Sequence, residues 1–402
     1  MASLPPCIVL GLETQIGLGI VRELGRAGVP VIGITHAAHA MGLKSRYLFR
    51  RLVVGAPRSE ELVEVLRALG EEFGDVPLIT VAEANLNWLI ANRHRLGRVR
   101  PILPSQEAMS VVLDKQRTLA LADFVGIHTP RTLAPDSLAD VERDAPRLAY
   151  PVVLKWKDPN LIGPVLAKHG IPMEKAEFAR DAAQLLAICR RYGPVGAWPL
   201  IQEYCPGVGL GQFFYIRQGE ALRRFQHVRV AEWPPEGGFS SVCDSLSLAE
   251  HVDLQEQSIA LLRAVGWEGV AMVEYRYDPK TRRAVLMEIN GRYWGSFPLA
   301  VHCRAGFARL AYSVQGRGEL PQLEPAISGI RCRMVGTEVK RLFRILFQRG
   351  KIKDPFFVIS PMREVLRFAA DFFRPNVRYY LWSLDDPAPF FTDLANMIFR
   401  RG

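Results

Sequence analysis

The chain has 402 residues and a mass of 45.1 kDa, with 49% hydrophobic and 23% charged residues. That apolar fraction can offset chain entropy, which excludes a disordered protein, and 33 glycines and 28 prolines without a period exclude collagen-like and low-complexity classes. The formal net charge of +10 is the one unusual quantity; it suits nucleic acid, a membrane surface or an anionic small molecule such as a nucleotide.

The six cysteines form no CxxC pair, which argues against a structural zinc site and for a reducing compartment. The first residues show neither a basic n-region nor a cleavage site, and no run reaches the roughly eighteen apolar residues of a spanning helix. The expectation is a cytoplasmic protein of two or three domains.

Residues 7–10 predict a strand, Ile16, Ile20, Val21 and Leu24 a helix, and residues 29–34 a second strand. A strand at 52–54, a helix capped by Ser59 and a strand at 77–81 repeat the pattern, so the first domain is α/β with a parallel sheet, over residues 1–105. The turn from Gly11 to Gly19 does not match GxGxxG, and it reads as a tight strand-to-helix turn. A second, α+β domain spans 106–330: a helix from Lys115 to Phe124, a strand ending at Lys155, an aperiodic segment from Lys157 to Lys175, and a helix from Asp181 to Tyr192. Strands follow at 200–203, 212–216, 222–230 and 242–245, then a helix at 253–265 and strands at 270–277 and 284–289.

Residues 331–402 differ in character. They hold 14 Lys/Arg against 7 Asp/Glu, hence +7 of the total charge, and 13 of the 38 aromatic residues. Basic amphipathic helices are expected at about 336–349 and 361–373, with a third from Thr392 to Arg400.

One constellation carries chemistry. The strands 270–278 and 284–290 predict a hairpin in which Asp278 pairs with Ala284 across a five-residue loop. That register sets Glu274 opposite Glu288, with Asn290 on the same face. Facing carboxylates on half-buried strands repel, and a divalent cation between them removes the repulsion. Two carboxylates and an amide oxygen are hard ligands suited to Mg²⁺, which completes its shell with water and phosphate oxygens. Lys115, Lys155 and Arg292 supply cations near the ends of these elements.

The order of these pieces resembles the ATP-grasp superfamily: a lysine before a helix and a GIxTP turn, the strand PVVLKW, the hinge QEYCPG, then E…MEINGR. The sequences Phe225-Gln-His227-Val-Arg229…Pro234-Pro-Glu-Gly237-Gly238 and Glu288–Ser296 are similar to the F-x-H-x-R…P-P-x-G-G and E-I-N-x-R-x-W-G-S motifs of its predicted carboxylate–amine ligases. The resemblance covers about residues 1–330. It implies an N-terminal parallel-sheet pre-ATP-grasp domain, an ATP-grasp fold of two α+β subdomains with a lid at about 150–205, and a basic helical C-terminal extension.

It further implies that Lys115 and Lys155 neutralise nucleotide phosphates. The backbone from Glu203 through Tyr204 to Cys205 reads the adenine edge, and Glu274, Glu288 and Asn290 hold one or two Mg²⁺ ions, with Mn²⁺ as the alternative. Arg292 faces the transferring phosphoryl group, and Arg229 anchors the substrate carboxylate or phosphates. His227 is expected to be a structural polar residue. Where relatives have a short glycine-rich phosphate loop, this chain has a long segment with two glycines, from which Lys168 is placed to reach phosphate.

The implied activity is ATP-dependent ligation of a carboxylate to an amine through an acyl phosphate. Carboxylate–thiol ligation and phosphotransfer are left open, nucleic acid is not expected, and a homodimer is open. The basic tail admits peripheral contact with the inner face of a membrane, against the alternative that it docks on the core or on a second subunit.

Overall fold

The computed structural model of the protein describes residues 4–174, 176–352, 354 and 357–399. Lys175, Lys353 and Arg400, which belong to segments read above, lie outside the described residues.

The first layer consists of β1 (Cys7–Leu10), α1 (Gln15–Arg26), β2 (Val31–Thr35), β3 (Leu48–Val53), α2 (Glu60–Phe73), β4 (Val76–Thr80), α3 (Glu83–Asn92) and β5 (Val99–Pro101). The five strands form a parallel sheet in the order β3-β2-β1-β4-β5. Every residue of β1 is buried because helices cover both faces. Ile8 and Leu10 join Leu62, Leu66 and Leu69 of α2, whereas Cys7 and Val9 join Ile20 and Leu24 of α1.

The turn after β1 is tight, as the sequence suggested: Thr14 caps α1 by accepting from the Gly17 N–H at 3.1 Å. A Cβ on Gly17 would stand 2.1 Å from the Gly11 carbonyl oxygen, so only glycine allows this approach.

On the core side of α1, Glu23 is buried and accepts the Arg309 N–H at 2.9 Å. Burial pushes its carboxyl up to about 7. The folded chain thus keeps a proton that the unfolded chain releases near 4.5, and this contribution to stability is lost as pH rises through about 7. The stability gain from Glu23→Gln is expected to grow by about 2–3 kcal/mol between pH 5 and pH 8 in urea denaturation. A gain independent of pH would contradict the assignment.

Next come α4 (Gln106–Leu113), α5 (Lys115–Phe124), β6 (Thr132–Leu133), α6 (Leu138–Asp144), β7 (Val152–Lys155), α7 (Pro159–Lys168), β8 (Glu177–Ala179), α8 (Ala182–Arg190) and β9 (Leu200–Glu203). The four strands form a small sheet, β6-β9-β7-β8, with its own core of Val152, Leu154, Leu185 and Ile201. The segment after Lys155, aperiodic in sequence, is the helix α7. It seats Leu166 on Trp156 and Tyr192.

The large sheet takes β10 (Val208–Arg217), β11 (Glu220–Trp233) and β12 (Phe239–Ser245); then, after α9 (Val252–Val265), it takes β13 (Gly269–Asp278) and β14 (Arg283–Asn290). The short α10 (Phe297–His302) and α11 (Phe307–Leu310) follow. The C-terminal region gives β15 (Arg331–Arg333), α12 (Val335–Phe347), α13 (Pro361–Ala370), β16 (Val377–Tyr379) and α14 (Ala388–Phe399). The sheet order is β14-β13-β10-β11-β12-β15-β16, antiparallel except for the last pair.

Residues 331–402 were expected to be helical, yet they also add two strands to this sheet. Strands of three residues give too short an alternation to read. The same region is fastened to the first layer, where buried Asp386 meets Arg22 at 3.0 Å and accepts from Ser45 Oγ at 2.8 Å. No helix among the described residues is long and apolar enough to cross a membrane.

Candidate active site

The hairpin β13–β14 differs from the sequence expectation in one respect. Asp278 pairs with Arg283, so the loop has four residues, 279–282, and the register near it is one residue short of the expected one. A bulge restores the register: Tyr275 pairs with Leu286 and Glu274 with Glu288, leaving Met287 as the extra residue. The two carboxylates are therefore direct cross-strand partners, as expected, although by a different path. Asn290 lies two residues beyond Glu288 and is buried.

Each carboxylate has a donor. Arg229 gives Nη2 to Glu274 at 2.5 Å and Nη1 to Glu232 at 2.8 Å and to the Gly238 carbonyl at 2.9 Å. Asn290 Nδ2 donates to Glu288 at 3.0 Å, while its oxygen accepts from Arg292 Nη2 at 3.0 Å. Arg292 also donates Nε to Glu83 at 3.0 Å, which ties it to the start of α3 in the first layer. Arg229 and Arg292 are thus held rigid by carboxylates.

Lys155 ends β7 on the neighbouring small sheet. Burial lowers its pKa, opposed by the charges of Glu288 and Glu274 and assisted by those of Lys115 and Arg276. The charges of Lys115, at the first residue of α5, and of Glu274 and Glu288, on the large sheet, thus all act on Lys155 at the end of β7. Asp114 sets the start of α5 by accepting from the N–H groups of Gln116 and Arg117, and it also meets Lys157 at 3.2 Å.

The hinge residues close one side. Glu203 accepts from the Arg131 N–H at 3.3 Å and faces Arg283 at 3.8 Å, so its side chain is committed to structure. Tyr204 donates its hydroxyl to Asp354 at 3.2 Å, and its N–H reaches the Pro151 carbonyl at 3.3 Å. Burial pushes the Cys205 thiol up to about 11, which keeps it protonated and unreactive at neutral pH. Lys168, at the end of α7, is exposed. His227 is buried against Phe213, with Nδ1 3.1 Å from Ser296 Oγ; burial holds its pKa well below the ordinary value, and it stays neutral.

The donor set suits a hard divalent cation. Two facing carboxylates and an amide belong to one sheet face, and their charge acts on Lys155. Among the described residues no group of three His, Cys, Asp or Glu side chains is placed to hold a metal.

No family model matches the chain, and no curated protein gives a significant match. Solved structures do. An L-amino acid ligase from Bacillus licheniformis aligns at 17% identity and TM-score 0.54, over 79% of this chain and 75% of that one. A biotin carboxylase–β-γ-ATP complex from Campylobacter jejuni aligns at 16% identity and TM-score 0.62, over 82% of this chain and 75% of that one. The N5-carboxyaminoimidazole synthetase of Staphylococcus aureus, complexed with ADP, aligns at 12% identity and TM-score 0.56, over 80% and 82%. The chain has the ATP-grasp fold.

Within this ATP-grasp fold, three charged residues escaped the sequence reading. Glu83 starts a helix whose cap is Ala82, which offers no capping side chain to read. Arg276 lies two residues from Glu274 on β13, a spacing that could have marked it; it faces Glu232 at 3.5 Å. Glu232 is brought back to Arg229 by the irregular register of β11 against β12, which no alternation pattern reveals.

Proposed function

We propose that the chain is an ATP-dependent ligase that activates a carboxylate as an acyl phosphate and joins it to an amine. The observation that carries this reading is the direct pairing of Glu274 with Glu288 within the electrostatic reach of Lys155 and Lys115.

In this reading Lys115 and Lys155 bind the nucleotide phosphates, and the backbone from Glu203 to Cys205 lies along the adenine. Glu274, Glu288 and Asn290 would hold Mg²⁺, which when bound neutralises charge on the phosphate oxygens. Arg292, oriented by Glu83 and Asn290, presents its guanidinium where charge develops on the transferring phosphoryl group. A substrate carboxylate oxygen forms the new bond to the γ-phosphorus while the bond to the ADP oxygen breaks. An amine nitrogen then bonds to the acyl carbon, phosphate leaves, and the amine proton is released.

Arg229 is neutralised by Glu232 and Glu274, so its role is to position Glu274, and substrate anchoring falls to groups other than its guanidinium. In this reading the helix α7 takes the place of a glycine-rich loop as the cover of the phosphates.

The test is an ADP-release screen across carboxylates and amines with hydroxylamine present. Acid- and ATP-dependent hydroxamate is expected. ADP release with a phosphorylated product and no hydroxamate would replace ligation by phosphotransfer.

A further inference from the structure

The helices α12 and α13 are built inside out. An amphipathic helix on a protein surface normally buries its apolar stripe and exposes its charges. Here two of the four residues that α12 buries, Thr337, Glu338, Arg341 and Ile345, are charged. Glu338 and Arg341 of α12 are buried and pair with Arg333, Glu364 and Arg367, and the Arg333 guanidinium lies 4.7 and 4.4 Å from the rings of Phe368 and Phe372.

The outward side is apolar. Val339, Phe343, Leu346 and Phe347 follow one another at helical spacing and are exposed, Phe347 by 73%; on α13, Met362 and Leu366 are exposed by 67% and 62%. The helix α14 lies alongside, with Met397 Sδ 2.9 Å from where a Cβ on Gly336 would stand, and it adds exposed Ile398.

The charge on this surface has one sign. Lys340 on α12, Arg363 on α13, and Arg349 and Lys351 just after α12 are exposed. None of the seven acids of residues 331–399 is exposed; all are buried or half-buried. A second copy seated on this face would set cation against cation. Nucleic acid would meet the cations but leave the phenylalanine, leucine and methionine side chains without a partner. An anionic bilayer answers both, with headgroups for the cations and hydrocarbon for the apolar stripe.

With 13 and 10 residues, α12 and α13 are too short to span a bilayer, for which about 20 residues are needed. We propose that the exposed face of α12, α13 and α14 is a peripheral docking surface for anionic lipid, on which the folded enzyme rests.

The test is co-sedimentation of the full chain with vesicles of phosphatidylcholine alone and of phosphatidylcholine mixed with phosphatidylglycerol. Binding is expected only to the mixed vesicles and is expected to fall as salt rises. The double change Phe343→Ser with Phe347→Ser is expected to weaken it at least about tenfold, since two apolar side chains leave the hydrocarbon. Lys340→Glu with Lys351→Glu is expected to abolish it at physiological salt. Unchanged thermal melting of each variant would show that the fold is retained, and Phe347→Ser alone serves if a double variant does not fold. Failure of the folded chain to sediment with mixed vesicles at low salt would overturn the proposal. So would a concentration-dependent dimer that Phe347→Ser dissociates.

Discussion

Glu288→Gln is expected to cut ATP-dependent ADP release by about a hundred- to a thousandfold, the scale seen when one group that stabilises developing charge is removed. Glu288 faces Glu274 across the hairpin and also draws the charge of Lys155, so its removal exchanges one repulsion for the loss of one attraction. The melting temperature without nucleotide should therefore change little, while the additional stabilisation given by Mg²⁺ and ATP together should vanish. The remaining carboxylate, Glu274, gives one oxygen to Arg229 at 2.5 Å and cannot also supply the ligand that Glu288 would have given. Normal turnover by this variant, measured by coupled ADP detection, would contradict the metal assignment.

Lys155→Met should weaken ATP binding about ten- to a hundredfold, the worth of one charge-assisted hydrogen bond to phosphate. Burial disfavours the charged form of this lysine, so the apolar replacement removes a cost and should not destabilise the protein without nucleotide. Lys168 provides the contrast. It ends a packed helix and is exposed, and Lys168→Ala should change affinity less than about twofold, within the range of an exposed charge. Titration calorimetry on both variants checks this pair, and a larger loss from Lys168 than from Lys155 would reverse the assignment of the phosphate side.

The sequence carried the pairing of Glu274 with Glu288 because strand alternation and hairpin length are local rules. Its derivation through a five-residue loop nevertheless missed the bulge at Met287, which inserts a residue without altering the apolar pattern. The alternation of strands and helices that makes the first sheet parallel, and the lysines at element ends, were legible for the same local reason. The partners that hold the site were not. Glu83 reaches Arg292 over a separation of 209 residues, and Glu232 meets Arg229 only because the register of β11 shifts. The helix α7 was illegible because Gly163 and Pro164 interrupt its pattern, and it forms by packing Leu166 into a small aromatic pocket. The basic excess of residues 331–402 was plain in composition. That its acids lie inside and its phenylalanines outside depends on which face of each helix packs, and periodicity alone does not give that.

In the proposed reading Lys115, Lys155, Glu274, Glu288 and Asn290 form one nucleotide site that requires a divalent cation. Calorimetric titration of the full chain with a non-hydrolysable ATP analogue tests it without knowledge of the other substrates. Saturable one-to-one binding in the presence of Mg²⁺, weakened at least about tenfold by chelation and lost in Glu288→Gln, is the predicted result. Absence of binding at millimolar analogue with Mg²⁺ present, or equal binding with and without the cation, would contradict it.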